Sequence, residues 1–219
     1  MKKRNKWIDI LLIIIIIVLA ILIVKRNIDS KVEKEYKTVD SVAALGDPIQ
    51  EEYDDNEELK IQSYEYKLHF IYEYQISGRV VKTRKYLPTS AFSAISPIDV
   101  GMVWGKYVKD ENIKDLKFIN YGDRLLRIAA DNGSFITEHP DFNTHMSHNH
   151  LIPSNDDIKK KLRQIKKDDL IEITGYLTDV EATNFKATLN FPTSTRRDDD
   201  GKGACETIYV TDIKWLKEE

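Results

Sequence analysis

Residues 64–77 read YEYKLHFIYEYQIS, and this stretch decides the fold class. Tyr64, Tyr66, Leu68, Phe70, Tyr72, Tyr74 and Ile76 recur at every second position, and Glu65, Lys67, His69, Glu73, Gln75 and Ser77 fill most of the alternate ones. A period of two with aromatic and aliphatic residues on one side is the signature of a half-buried β-strand. Gly78 interrupts the run before Arg79–Arg84 resumes it. A glycine inside such a pattern marks a bulge or bend, the device by which a long strand turns a barrel corner.

Working outward, residues 88–98 (PTSAFSAISPI) are rich in Ser and Pro and read as a loop. Residues 100–108 contain Val103-Trp104-Gly105 and read as a short strand with Trp104 in the core. Residues 117–120 and 124–130 flank Tyr121-Gly122-Asp123 as a hairpin. Residues 131–150 are irregular and hold most of the histidines. A helix is expected over 155–166, opened by Ser154 and Asp157 in a capping-box-like arrangement, with Ile158, Leu162 and Ile165 on one face. A strand with alternating apolar residues follows at 168–177, and another, 207–216, ends the chain. The expected class is therefore mainly β (α+β), a small OB-like, partly open β-barrel with one helix, the alternative being a β-sandwich.

The N-terminus has a different character. Residues 10–24 carry no charge, and Trp7, Ile8 and Asp9 extend the run to about 27 Å of helix, close to a bilayer core of roughly 30 Å. Lys2, Lys3, Arg4 and Lys6 precede it, and Lys25, Arg26, Lys31, Lys34 and Lys37 follow. The run ends without the small residues of a signal-peptidase site and without a lipid-accepting Cys, so an uncleaved transmembrane anchor is the reading, against a cleaved signal peptide. A buried core helix would not be apolar on every face and basic at both ends. The flanking basic residues balance, so orientation rests on the short tail staying cytoplasmic with residues 27–219 outside. Three regions follow: 1–26 as tail and anchor, 27–58 as polar stalk and acidic linker, 59–219 as the β domain. The linker is inferred from residues 47–58, DPIQEEYDDNEE, whose seven acids suit a solvated segment, or less often cation capture.

Charge narrows the function. The first 26 residues hold six basic groups and one acid, and the remainder 27 basic and 35 acidic groups. So acidic a domain is poorly suited to binding nucleic acid, and its aromatic ladder is better explained as core than as a base-stacking face. Cys205 is the only cysteine, so the domain holds without an internal disulfide.

Three constellations could carry chemistry. His139, His145, His148 and His150 lie within 12 residues, and imidazoles suit zinc, copper and nickel, with zinc the expected ion, though the set matches no standard ligand spacing; surface-loop residues and a hydrogen-bonded His150 are the plain alternative. Cys205 with His150, oriented by Glu206 or Asp198, would be the minimal set of a thiol nucleophile; a free Cys is more often a small buried hydrophobe. Arg196, Arg197 and Asp198 lie in a charged loop, 196–203, where the arginines could fork onto a carboxylate or phosphate but more often pair with neighbouring acids.

Val103-Trp104-Gly105, the 147–153 stretch containing NHLIP, the 169–177 strand and the 194–210 segment containing GACETIYV resemble an uncharacterised family of bacterial envelope proteins over roughly residues 64–216. The resemblance implies an extracytoplasmic domain on the inner (cytoplasmic) membrane and supplies no mechanism. The expectation is a single-pass, membrane-anchored binding or assembly module with an envelope protein partner and no nucleic acid. The alternatives are a Cys/His- or metal-dependent hydrolase and, with the anchor reversed, a cytoplasmic scaffold.

Overall fold

The structure is a computed structural model that describes residues 6–29, 32–122, 124–130, 133–199, 201 and 203–219. Lys2, Lys3, Arg4, Lys31, Asp123, Asp200 and Lys202, which enter the sequence reading, lie outside the described residues. The chain divides into two compact units, residues 1–33 and 34–219.

The first unit contains α1 (Lys6–Asp29). From Ile10 to Leu19, and again at Ile21, its large apolar side chains are exposed all round the helix, so no face is set aside for packing on a protein core. Its side chains are described continuously from Asp9 to Ile21, about 20 Å of helix. Among the described residues no helix is long and apolar enough to cross a membrane.

The second unit is mainly β. In chain order it comprises β1 (Tyr36–Val39), β2 (Ile49–Ile61), β3 (Tyr64–Lys85), α2 (Ala91–Ile95), β4 (Ile98–Val103), β5 (Leu116–Tyr121), β6 (Leu125–Ala130), α3 (Phe135–Glu138), β7 (Met146–Pro153), α4 (Asp156–Gln164), β8 (Leu170–Thr183), β9 (Thr188–Phe191) and β10 (Glu206–Glu218). The main sheet runs β1-β10-β7-β4-β3-β8-β9, with β2 on β3. Because β10 also pairs with β8, five strands form a ring in the order β3-β4-β7-β10-β8. Every neighbour in this ring is antiparallel except β7 and β10, which run parallel. The hairpin β5-β6 forms a separate two-stranded sheet.

Alternation along β3 builds the interior. Tyr74, Ile76 and Val80 join Ile98, Val100 and Met102 of β4, Ile171 and Ile173 of β8, and Ile208, Val210, Ile213 and Trp215 of β10 in the largest core cluster. Each such large side chain contributes about 1.5–3 kcal/mol of apolar burial. Helix α4 packs Ile158 and Leu162, and the following Ile165, into the same core. The expected bend at Gly78 falls elsewhere: the register of β3 shifts against β8 between Phe70 and Tyr72, and against β4 between Val80 and Lys82. Gly78 and Gly175 serve close approach instead. A Cβ on Gly78 would strike the Val103 carbonyl, and one on Gly175 the Tyr209 carbonyl.

Several expectations need correction. The acidic stretch 47–58 is mostly strand rather than linker, and the compact unit begins near Lys34 rather than at residue 59. Tyr53, Leu59 and Ile61 pack on the second core cluster while Glu51, Glu52, Asp54, Asp55 and Glu58 stay exposed, so a solvated charge run and a paired strand coexist. The stalk likewise contributes β1, in parallel with β10. The loop at 88–98 contains α2, closed by a reciprocal Ser90–Ser93 capping box. The irregular histidine segment becomes β7 from Met146 onward. Asn155, not Ser154, caps α4, accepting from the backbone amides of Asp157 and Ile158, both at 3.0 Å.

The close approach at Gly175 has a measurable cost. Gly175→Ala should destabilise the β domain by about 1–3 kcal/mol and lower its Tm by several degrees. Gly46→Ala, with nothing within 4 Å of the added methyl, should leave Tm nearly unchanged. Equal melting of the two variants in scanning calorimetry would show that the ring is not tight there.

Candidate functional site

The site lies where the parallel strands β7 and β10 begin. Their pairing sets Glu206 beside Asn149 and Thr207 beside His150, so Cys205, one residue ahead of β10, reaches the histidine strand. Strand alternation sorts the side chains of β7. Leu151 enters the largest core cluster and Ile152 the second one. His148 and His150 therefore share the face of Ile152, outside the main core. On the other side of β7, β4 sets Gly101 opposite His148 and Asp99 opposite His150.

The side chains converge. His148 Nδ1 lies 3.3 Å from Cys205 Sγ, and the rings of His148 and His150 meet edge-on at 5.2 Å. His150 Nδ1 is 2.8 Å from Asp99 Oδ1. Asp99, 1% exposed, also accepts from the Tyr86 hydroxyl at 2.6 Å and from the Arg124 guanidinium. Arg124 is clamped between the rings of Tyr86 and Phe92, 4.2 and 4.5 Å from their centroids, and donates to Ser96 Oγ at 2.8 Å. Burial works against the Asp99 carboxylate, but the hydrogen bonds from His150 and Arg124 outweigh it and hold its pKa down to about 2. A charge buried this deeply persists because it is paired on several sides.

Its neighbours are pushed towards neutrality. Burial, then the neighbouring His150, lowers His148 to about 4. Burial, reinforced by Glu206, Asp99 and Asp199, raises the Cys205 thiol to about 12. The dyad at rest is a thiol facing a neutral imidazole. A thiolate–imidazolium pair, the state a nucleophilic cysteine needs, is disfavoured at both atoms. Glu206 is 3% exposed, and burial raises it to about 8. Arg197 Nη1, 2.7 Å from Glu206 Oε1, opposes that shift without cancelling it. The same guanidinium also serves Gln50 Oε1 at 3.1 Å and the Arg196 carbonyl at 3.3 Å. Glu206 Oε2 is buried without a partner.

His148, Cys205 and Glu206 line one side of a cavity of about 480 Å³, and Leu126, Ile128 and Met146 line another. The ligand atoms of His148, His150 and Cys205 lie within 4.8 Å of one another, so the cluster could hold a metal ion. Two nitrogens and a sulfur around one ion stand roughly 3.5 Å apart, close to the separation of His148 and Cys205. His150 has the support a metal-binding imidazole uses, a carboxylate on its other nitrogen.

The four-histidine set expected from the sequence is split. His139 and His145 pack on Tyr107, with ring centroids 5.7 and 5.6 Å away, and His145 Nδ1 meets the Asp141 carbonyl at 2.8 Å. Cys205 faces His148 rather than His150. Asp99, not Glu206 or Asp198, orients His150. Arg196 closes locally on Asp198 at 3.0 and 3.1 Å, whereas Arg197 turns inward to Glu206. Asp99, Arg124 and Tyr86 were missed. Only Asp99 left a signal, an acid inside the apolar run 98–103. Comparison of the chain with protein-family models, curated proteins and solved structures finds no match.

Two measurements follow from these environments. Iodoacetamide should label Cys205 slowly in the folded protein at neutral pH and rapidly once it is unfolded; equal rates would contradict a half-buried thiol held neutral. Glu206 sets the second. Its folded pKa of about 8 exceeds its reference value of 4.5, so between these limits the folded state holds a proton that the unfolded state has released. Wild-type stability should therefore fall relative to Glu206→Gln as pH rises from about 5 to about 8. Denaturant titrations across that range, if they gave a constant difference, would rule this out.

Proposed function

We propose that this chain is a membrane-tethered, OB-like barrel domain of the bacterial envelope that binds a transition-metal ion through His148, His150 and Cys205. The observation that carries the metal reading is the gathering of two imidazoles and a thiol within 4.8 Å, on residues far apart in sequence. Imidazole and thiolate together suit soft and borderline ions, zinc and copper(I) among them. Such an ion would take up the deprotonated sulfur and two neutral imidazoles, relieving the cost of a bare buried thiolate. The cavity beside His148 and Cys205 leaves room for a further ligand. An ion with such an open position could bind a partner or activate water, and the hydrolase reading survives in this metal-dependent form.

The OB-like assignment is supported by the ring order, the parallel closing pair and the helix between β7 and β8. The tether rests on the uncharged run of residues 10–24 and on the exposed apolar side chains of α1 between Ile10 and Ile21. The envelope setting rests on the resemblance of the sequence segments and on the acidity of the domain.

Calorimetric titration of the full-length, detergent-solubilised protein with zinc should show about one ion per chain. His148→Ala and Cys205→Ser should each weaken binding by more than about tenfold, since each removes a direct ligand. His139→Ala should bind as the wild type does. An unchanged isotherm in the first two variants would remove the site.

A further inference from the structure

A cationic stripe lies far from the histidine site, and what it could hold follows from its charge and its place in the second unit. Resting on the tether reading, we propose that Lys85, Lys159, Arg163 and Lys166 form a surface that docks on the anionic phospholipid headgroups of the membrane holding the run 10–24.

The grouping is structural. Lys159 and Arg163 stand four residues apart on α4 and so share one side of that helix. Lys85, at the end of β3, is brought against them: its Nζ donates to the Arg163 carbonyl at 2.5 Å. Burial, then Lys166 and Arg163, pull Lys85 below the usual lysine pKa, the mark of like charges close at hand.

The charges around the stripe are otherwise matched. Residues 156–169 hold six basic and four acidic groups. Asp157 pairs with Lys160 at 2.9 Å, Asp168 with Arg79 at 2.6 Å and Asp169 with Lys34 at 3.3 Å. Lys161 meets Glu35 at 3.1 Å and Asp212 at 3.4 Å, and Lys167 lies 3.9 Å from Asp168. Only Asp156, exposed in the first turn of α4, remains against the stripe, whose four side chains have no carboxylate partner among the described residues. The helix dipole favours cations in the last turn, which accounts for Arg163 but not for Lys159. Beyond residue 26 the chain holds 35 acidic and 27 basic groups, so the stripe runs against the charge of its own domain.

Place selects the lipid. Asp169 accepts from Nζ of Lys34, the first residue of the second unit, at 3.3 Å and from the backbone amide of Lys166 at 3.0 Å. The stripe thus borders the point where the chain enters the unit. Residues 25–33 separate that point from the uncharged run and span at most about 30 Å when extended. Basic groups on so short a leash can settle on anionic headgroups, whose attraction fades within about 10 Å of the surface.

The test is lysine footprinting of the full-length protein in lipid nanodiscs, with acetylation rates read by mass spectrometry. Discs of phosphatidylcholine are compared with discs half of phosphatidylglycerol. Acetylation of Lys85, Lys159 and Lys166 should slow by about threefold or more in the anionic discs and recover in strong salt, which screens the attraction. Lys67 and Lys186, near the opposite end of β8, should react equally in both. The triple variant Lys159→Glu, Arg163→Glu, Lys166→Glu, checked for an unchanged circular dichroism spectrum, should lose the protection of Lys85. Equal rates for wild-type Lys85 in the two kinds of disc would overturn the inference while leaving the tether in place. Protection in neutral discs by inorganic phosphate or by polyglutamate, with none from phosphatidylglycerol, would also overturn it, reassigning the stripe to a small anion or an acidic protein. A full-length chain that does not stay with the discs in gel filtration would overturn the tether reading itself.

Discussion

The second unit depends on one strand pairing on both sides. β10 hydrogen-bonds in parallel to β7 and in antiparallel fashion to β8, which turns a row of strands into a ring. A closed ring has little slack. It accommodates its curvature by shifting register along β3 and near Thr211 of β10, and by admitting backbone where glycines leave out a side chain. The parallel pair matters most for chemistry. Two antiparallel strands would bring the start of one against the end of the other. Parallel strands bring both starts to the same end, and so Cys205 meets His148 across a long stretch of chain.

Around that junction, buried charge is handled by saturation. Asp99 keeps its charge because His150, Arg124 and Tyr86 surround it, and Arg124 in turn lies between two aromatic rings. Where partners are fewer, burial wins and the groups turn neutral, as at His148, Cys205 and Glu206. Adjacent groups thus hold opposite states because their hydrogen-bond counts differ. A fixed anion thus lies behind His150, with an uncharged sulfur and an uncharged imidazole in front of it.

The sequence made the strands legible where a single rule decided them. The two-residue alternation of 64–76 fixed β3, and Ile158, Leu162 and Ile165 fixed α4, because packing on one face demands those periods. The acidic run 47–58 misled because composition reports solvation, and an outer strand can be both solvated and paired. At the site, His148, His150 and Cys205 were all named, but their grouping was not, since spacing along the chain says nothing about which strands lie side by side. Arg124 was invisible for the same reason. It sits just after a turn with φ of +61° and acts on Asp99, 25 residues away, through space alone. Asp99 could have been suspected, because an acid in an apolar strand needs a partner.

Strand β2 carries a consequence of a different kind. Among the described residues it pairs only with β3, so its outer row of amides and carbonyls faces water. Such a margin is the natural template for stacking one copy on the next. Its exposed Glu51, Glu52, Asp54, Asp55 and Glu58 would confront their own kind in that arrangement. Like-charge repulsion thus guards the molecule against fibril growth, and the guard weakens in acid or in strong salt, where that repulsion is neutralised or screened.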